Sequence, residues 1–251
     1  MVVGLVGAGN MAGALARGIG EPVLVHDLDD ARARSLAEEL GGEAVGSNAE
    51  LAERADVLVL CHKPAQLDEV AAQVEGHATA IASILAATPT TRIEAAYPGV
   101  PVYRFIPNIP AEVRHGVLCY APGTLASEGP EQELIELFGR AGAVIPLDEE
   151  LIEPAMAIMS CGPAFMSLVA ESFAEAGAAH GLGTDDARRM TVETMAGAAA
   201  WLGAHDYDLE GLRARVATPG GATERGLLKL ESEGLREVCR AAVDAVVEGT
   251  R

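Results

Sequence analysis

Short apolar runs alternate with stretches of helical period through the first part of the chain, and later only helical periods remain. The runs Val2–Val6, Pro22–His26, Val57–Leu60, Ala78–Ile84, Val102–Ile106, Val117–Tyr120 and Val144–Leu147, with a shorter one near Val45, predict strands. Between them lie helices to about Ile19, from Asp29 to Leu40, from a cap at Ser47 or Asn48, and from Ser127 to Arg140. Strands alternating with helices predict a parallel, doubly wound sheet. The later periods predict helices at Met156–His180, Thr184–Leu202, Leu209–Val216, one opening near Thr223, and Leu235–Val247. The expected fold class is α/β: a Rossmann-like domain over residues 1–150, then an all-α domain over 151–251, with acidic Asp148-Glu149-Glu150 at the boundary. Met156, Met159, Met166, Met190 and Met195 read as core or subunit interface.

Composition narrows the functional classes. The 251 residues are 49% hydrophobic, enough for a sizeable core, and carry a formal net charge of −19. Such acidity argues against nucleic acid and anionic membrane as partners. Cys61, Cys119, Cys161 and Cys239 form no metal-ligand spacing and suit a reducing cytoplasm. Met1 runs directly into an apolar strand without a basic leader, and the uncharged stretch Pro154–Ala170 is short for a membrane span. A soluble cytoplasmic protein without a metal is expected.

Three stretches carry candidate chemistry. Gly7-Ala8-Gly9-Asn10-Met11-Ala12 follows the first strand: Gly7 permits a tight turn, Gly9 lets a pyrophosphate approach the backbone, and Ala12 lets helix pack on strand. The pattern gains weight from Asp27, twenty residues after Gly7 at the end of the second strand. An acid there accepts hydrogen bonds from an adenine ribose and repels a 2′-phosphate, which favours NADH over NADPH, although Arg32 or Arg34 is near enough to compete. The second stretch, Cys61-His62-Lys63-Pro64, occupies the carboxyl edge of the sheet. There Lys63 faces a cofactor or is a solvated loop lysine, and His62 is a loop histidine or a ligand contact. Asn108, between two prolines at a strand end, bonds a cofactor amide or its own turn. In the third stretch, Thr218-Pro219-Gly220-Gly221-Ala222-Thr223 forms a turn opening a helix. Its free N–H groups attract an anion such as a carboxylate, with the Thr218 and Thr223 hydroxyls beside it; the plainer reading is a helix cap.

Gly7-Ala8-Gly9-Asn10-Met11, His62-Lys63-Pro64, Arg104-Phe105-Ile106-Pro107-Asn108-Ile109-Pro110, Ser160-Cys161-Gly162-Pro163-Ala164 and Thr218-Pro219-Gly220-Gly221-Ala222-Thr223 together resemble the successive motifs of the pyrroline-5-carboxylate reductases. The resemblance implies reduction of 1-pyrroline-5-carboxylate to proline by NADH or NADPH, and at least a homodimer formed through the helical domain. It implies that Gly7, Gly9, Asn10, Met11, Asn48, Lys63 and Pro64 line the dinucleotide site. It further implies that Thr218, Gly221, Ala222 and Thr223 hold the substrate, with the Thr223 hydroxyl at the ring nitrogen. Three positions depart from the family pattern: Ser160-Cys161 replaces Gly-Ser, Ala87 stands where glycine is usual, and Asp206 where glutamate is frequent. Reduction of another cyclic imine, or a non-catalytic nucleotide-binding role, remains open. A β-hydroxyacid dehydrogenase is disfavoured, because it needs a lysine early in the helical part and none occurs between residues 64 and 228.

Overall fold

The computed structural model describes residues 1–249. The chain divides into two compact units, Met1–Ser160 and Cys161 onward.

The first unit is built on one eight-stranded sheet in the order β3-β2-β1-β4-β5-β6-β7-β8. Its strands are β1 (Val3–Val6), β2 (Leu24–His26), β3 (Glu43–Ala44), β4 (Val57–Leu60), β5 (Ile81–Ser83), β6 (Val102–Pro107), β7 (Gly116–Pro122) and β8 (Gly142–Pro146). Five strands flank β1 in parallel succession through crossover helices α1 (Asn10–Ile19), α2 (Asp30–Glu39), α3 (Asn48–Arg54), α4 (Leu67–Gln73) and α5 (Thr90–Ala96). Neither α4 nor α5, at seven residues each, is long enough for its period to stand out in the sequence. One pairing departs from the parallel expectation: β7 runs antiparallel to β6. The connection between them holds only a short 3₁₀ turn at Ile109–Val113, too little chain for a crossover. β8 then returns parallel to β7 through α6 (Glu131–Gly139).

Both faces of the sheet are covered, so its strands are apolar on both sides. Alternation divides them: Val3, Leu5, Val57, Val59, Tyr103 and Phe105 enter one buried cluster, while Val6, Leu58, Leu60, Ile81 and Val102 enter the other. Phe105 stacks on Tyr120 at 4.7 Å between centroids and meets Phe138 edge-on at 4.4 Å.

The expected single helix Met156–His180 is two helices. α7 (Ile152–Met159) buries Ile152 and Met159 against Ile106, Cys119 and Ala121, so it packs with the sheet. Pro163 sits in the first turn of α8 (Gly162–Ala179), the place where a missing N–H costs no helical bond, and a new helix therefore starts there.

The second unit continues with α9 (Thr184–Gly203), α10 (Leu209–Val216), α11 (Ala222–Ser232) and α12 (Leu235–Gly249). Among its described residues only Ala174 and Ala187 are buried within the single chain. Met166, Leu168, Phe173, Met190 and Val192 are exposed, so these helices have almost no core of their own.

Candidate functional site

The carboxyl ends of the parallel strands carry two pockets. The larger, a cleft of about 390 Å³, is bounded by Gly7, Gly9, Asp27, Asn48, Lys63 and Gln73, with His62, Cys61, Leu28 and Arg32 also on its wall. The smaller, about 190 Å³, is lined by Met11, Ala86, Pro107, Asn108, Met156 and Ser160, among others. Ala8, Asn10 and Pro64 line neither.

Gly7 has φ +106°, a conformation L side chains avoid, and its N–H donates to His26 O at 2.7 Å. An added Cβ would lie 3.1 Å from the Cys61 carbonyl, so the turn passes tightly against the end of β4. Gly9 differs: a Cβ there would meet nothing within 4 Å. Open space beside Gly9 leads to the start of α1, which has neither a side-chain cap nor an acidic residue in its first turn. Such a helix end offers unpaired N–H groups to an anion.

Asp27 accepts from Ala8 N at 2.7 Å and from Asp29 N at 2.8 Å. It therefore holds the glycine turn while still facing the cleft. Leu28 beside it is 83% exposed, and Arg32 Nη2 lies 3.9 Å from Asp29 Oδ2.

Asn48 starts α3 and is only 6% exposed. Its Nδ2 donates to Gln73 Oε1 at 2.6 Å, and its Oδ1 is buried without a protein partner. His62 Nδ1 donates to the Lys63 carbonyl at 2.9 Å, and its Nε2 is likewise buried and unpartnered. Burial lowers the imidazole pKa, with the Lys63 carbonyl opposing, so the ring is neutral. Burial also pushes the Cys61 thiol far above its usual pKa, and Sγ donates weakly to Val59 O at 3.5 Å. Cys61 is a wall residue without thiolate chemistry. Lys63 is exposed on the rim and donates its backbone N–H to Gln66 Oε1.

Asn108 spends both ends of its amide inside the fold. Nδ2 donates to Met159 O at 2.8 Å and Oδ1 accepts from Val117 N at 2.9 Å, tying together β6, β7 and the end of α7. Of the two readings the sequence leaves open for this side chain, the geometry matches the internal one. Gln73 and Glu69, which sequence reasoning did not pick out, also line the cleft; they sit on α4, whose two turns gave no period to read.

In the second unit, Thr218 to Gly221 forms a β-turn in which Gly221 N donates to Thr218 O at 2.8 Å. Pro219 supplies the fixed φ of its second position, and Gly220 the positive φ, +72°, of its third. A Cβ on Gly221 would lie 2.5 Å from Thr218 Oγ1. Gly221 is the N-cap of α11 and provides no side-chain cap. Glu224 reaches back to Gly220 N at 2.6 Å, and Arg225 Nη1 donates to Gly220 O at 2.8 Å, so the turn is braced from the helix behind it. Thr218 and Thr223 are exposed.

Known proteins match this arrangement along the whole chain. A family model described as pyrroline-5-carboxylate reductase dimerisation matches residues 149–251, and one described as NADP oxidoreductase, coenzyme F420-dependent, matches residues 2–87. The first takes in Glu149–Ala179, which is long and apolar enough to cross a membrane by length and composition alone but is divided into α7 and α8 at Ser160-Cys161. The pyrroline-5-carboxylate reductase of Synechocystis is 30% identical over 97% of this chain and 94% of its own. The solved enzyme of that name from Coxiella burnetii superposes with a TM-score of 0.90 at 27% identity, over 99% of this chain and 96% of that one. The pyrroline carboxylate reductase of Plasmodium falciparum, solved with NADP bound, has the same fold, with a TM-score of 0.82 at 23% identity over 100% of this chain and 97% of that one. Likeness of this length, in the same order of sheet and helices, makes the chain a member of the pyrroline-5-carboxylate reductase family.

Proposed function

We propose that this protein reduces 1-pyrroline-5-carboxylate to L-proline with NADH or NADPH, the closing reduction of proline biosynthesis. The observation that carries the reading is full-length membership of the family together with a first unit whose cleft suits a dinucleotide. The fit rests on Gly7 in its forbidden-to-others conformation, clear space at Gly9, an uncapped helix start, and a buried Asn48 acceptor awaiting a donor.

The dinucleotide supplies the hydride. Gly7, Gly9 and the first N–H groups of α1 would hold its pyrophosphate, and Asp27 and Asn48 its ribose hydroxyls; Met11 and the smaller pocket suit its nicotinamide end. Asn108 shapes that pocket through its backbone ties, with its amide nitrogen and oxygen each engaged inside the fold. The Thr218–Thr223 turn would take the substrate carboxylate on the N–H groups at the start of α11. Thr223 is the positioned donor: as the C=N carbon receives hydride, the ring nitrogen becomes a basic amine, and the hydroxyl bond to it strengthens while water resupplies the proton.

NADH is preferred in this reading. Asp27 places negative charge where NADPH carries its 2′-phosphate, and Leu28 offers no cation; Arg32, on the same wall, is drawn toward Asp29. Purified protein mixed with 1-pyrroline-5-carboxylate and either nucleotide, followed at the nicotinamide absorbance, tests both statements. Turnover with NADH at the higher kcat/KM is expected. No oxidation of either nucleotide would overturn the activity, and a higher kcat/KM with NADPH would overturn the preference.

A further inference from the structure

Two buried acceptors face one cleft. Asn48 Oδ1 and His62 Nε2 have no protein partner, and both residues line the space bounded by Gly7, Gly9 and Asp27. Their hydrogen-bond polarity is set by their neighbours. The Glu69 carboxylate only accepts, so at 3.5 Å Gln73 turns its Nε2 toward it. That leaves Gln73 Oε1 to accept from Asn48 Nδ2 at 2.6 Å, which in turn leaves Asn48 with a carbonyl oxygen unused. His62 reaches the same state through its other nitrogen: Nδ1 donates to the Lys63 carbonyl, and the lone pair remains on Nε2. An acceptor buried without a donor is costly, so the relay creates a demand that a bound group can meet.

We propose that Gln73 is a positioning residue that fixes the Asn48 amide, so that Asn48 Oδ1 and His62 Nε2 together select hydrogen-bond donors of the nucleotide, its ribose hydroxyls or amino groups. Phosphate oxygens, which accept only, gain nothing from this wall and fall to the glycine turn and helix start instead. The inference rests on the proposal that the cleft is the dinucleotide site. It adds that the orientation of one amide, set from α4, governs affinity there.

The test is NADH and NADPH binding without substrate, by nucleotide fluorescence titration, with melting temperature recorded on each variant. Gln73→Leu removes the acceptor, frees the Asn48 amide to turn, and is expected to raise the NADH dissociation constant about tenfold, the cost of one good hydrogen bond. Gln73→Glu keeps an acceptor toward Asn48 but sets a carboxylate against Glu69, so it is made together with Glu69→Gln, which restores the donor, and the double variant is expected to stay within about twofold. In turnover, KM for NADH should follow the dissociation constant while kcat at saturation does not. His62→Leu against His62→Gln repeats the comparison at the second acceptor, where only the glutamine can still accept. If Gln73→Leu melts lower yet binds NADH as tightly as wild type, the residue is merely structural and the inference is wrong. Wild-type protein that binds neither nucleotide overturns the cofactor site itself, a result distinct from loss of the Gln73 effect alone.

Discussion

Ala8 N donates to Asp27 Oδ2 at 2.7 Å, so the carboxylate at the end of β2 braces the glycine turn at the end of β1. Since Asp29 N also donates to it, one side chain fixes both the turn and the start of α2. Asp27→Ala is expected to lose about 2 kcal/mol of stability, as two charge-assisted bonds disappear, and to shift the kcat/KM ratio of NADH to NADPH toward NADPH. Denaturant unfolding and paired kinetics with the two nucleotides measure the two effects. An unchanged ratio would show that Asp27 serves the turn alone.

Ala87 has φ +50°. A left-handed alanine is strained by about 1 kcal/mol, and glycine relieves this at some cost in chain entropy. Ala87→Gly is therefore expected to raise stability by about 0.5 kcal/mol, read as a small upward shift in Tm. A lowered Tm would mean that neighbouring packing, not backbone strain, decides this site.

Thr223→Val keeps the shape and deletes the hydroxyl. Gly221 is the cap of α11 and Thr223 is exposed, so little stability depends on the hydroxyl. Turnover is expected to fall about 100-fold, with Tm nearly unchanged and Thr223→Ser much milder. Steady-state kinetics and calorimetry on the same valine preparation decide it; an intact kcat sinks the donor role.

Arg104 is 2% exposed and bonds Glu149 Oε1 at 2.5 Å and Glu153 Oε1 at 3.2 Å. Thr90 also donates to Glu149, through its backbone and its hydroxyl. Burial alone would raise the Glu149 carboxyl, but the bonds from Thr90 and Arg104 hold it below its usual value. A depressed carboxyl contributes its stability in full above the unfolded value of 4.5, and loses it as pH falls through the folded value. Glu149→Gln should thus cost about 2 kcal/mol near neutral pH, with the gap to wild type closing as pH falls below the unfolded value of 4.5. Urea unfolding at a series of pH values reads the gap, and a difference independent of pH would remove the charge from the explanation.

Phe173 is 54% exposed on α8 and Met166 52%, in a unit with almost no internal core. A dimer or larger assembly is expected at micromolar concentration, and Phe173→Glu together with Met166→Glu should shift it toward the 25.9 kDa chain mass. Light scattering checks both forms. Wild type running at the single-chain mass would refute the prediction.

Local pattern was enough for most of the architecture. Continuous apolar runs and the glycine turn at Gly7 announce the strands and the helix start, because a strand buried on both faces must be apolar throughout and a positive-φ turn needs glycine. The Pro219-Gly220 turn is legible for the same reason: its two central residues carry the required backbone angles themselves. Other features depended on partners distant in sequence. The antiparallel β7 follows from a connection too short to cross the sheet, and the docking of α7 on the sheet from Ile152 and Met159 finding Ile106 and Cys119. Asn108 shows the limit at a single residue: its type and flanking prolines suit a ligand contact, but its amide is taken up by Val117 and Met159, on β7 and α7. The roles of Gln73 and Glu69 emerge only when α3 and α4 stand side by side, because an amide's polarity is set by whichever donors and acceptors folding brings to it.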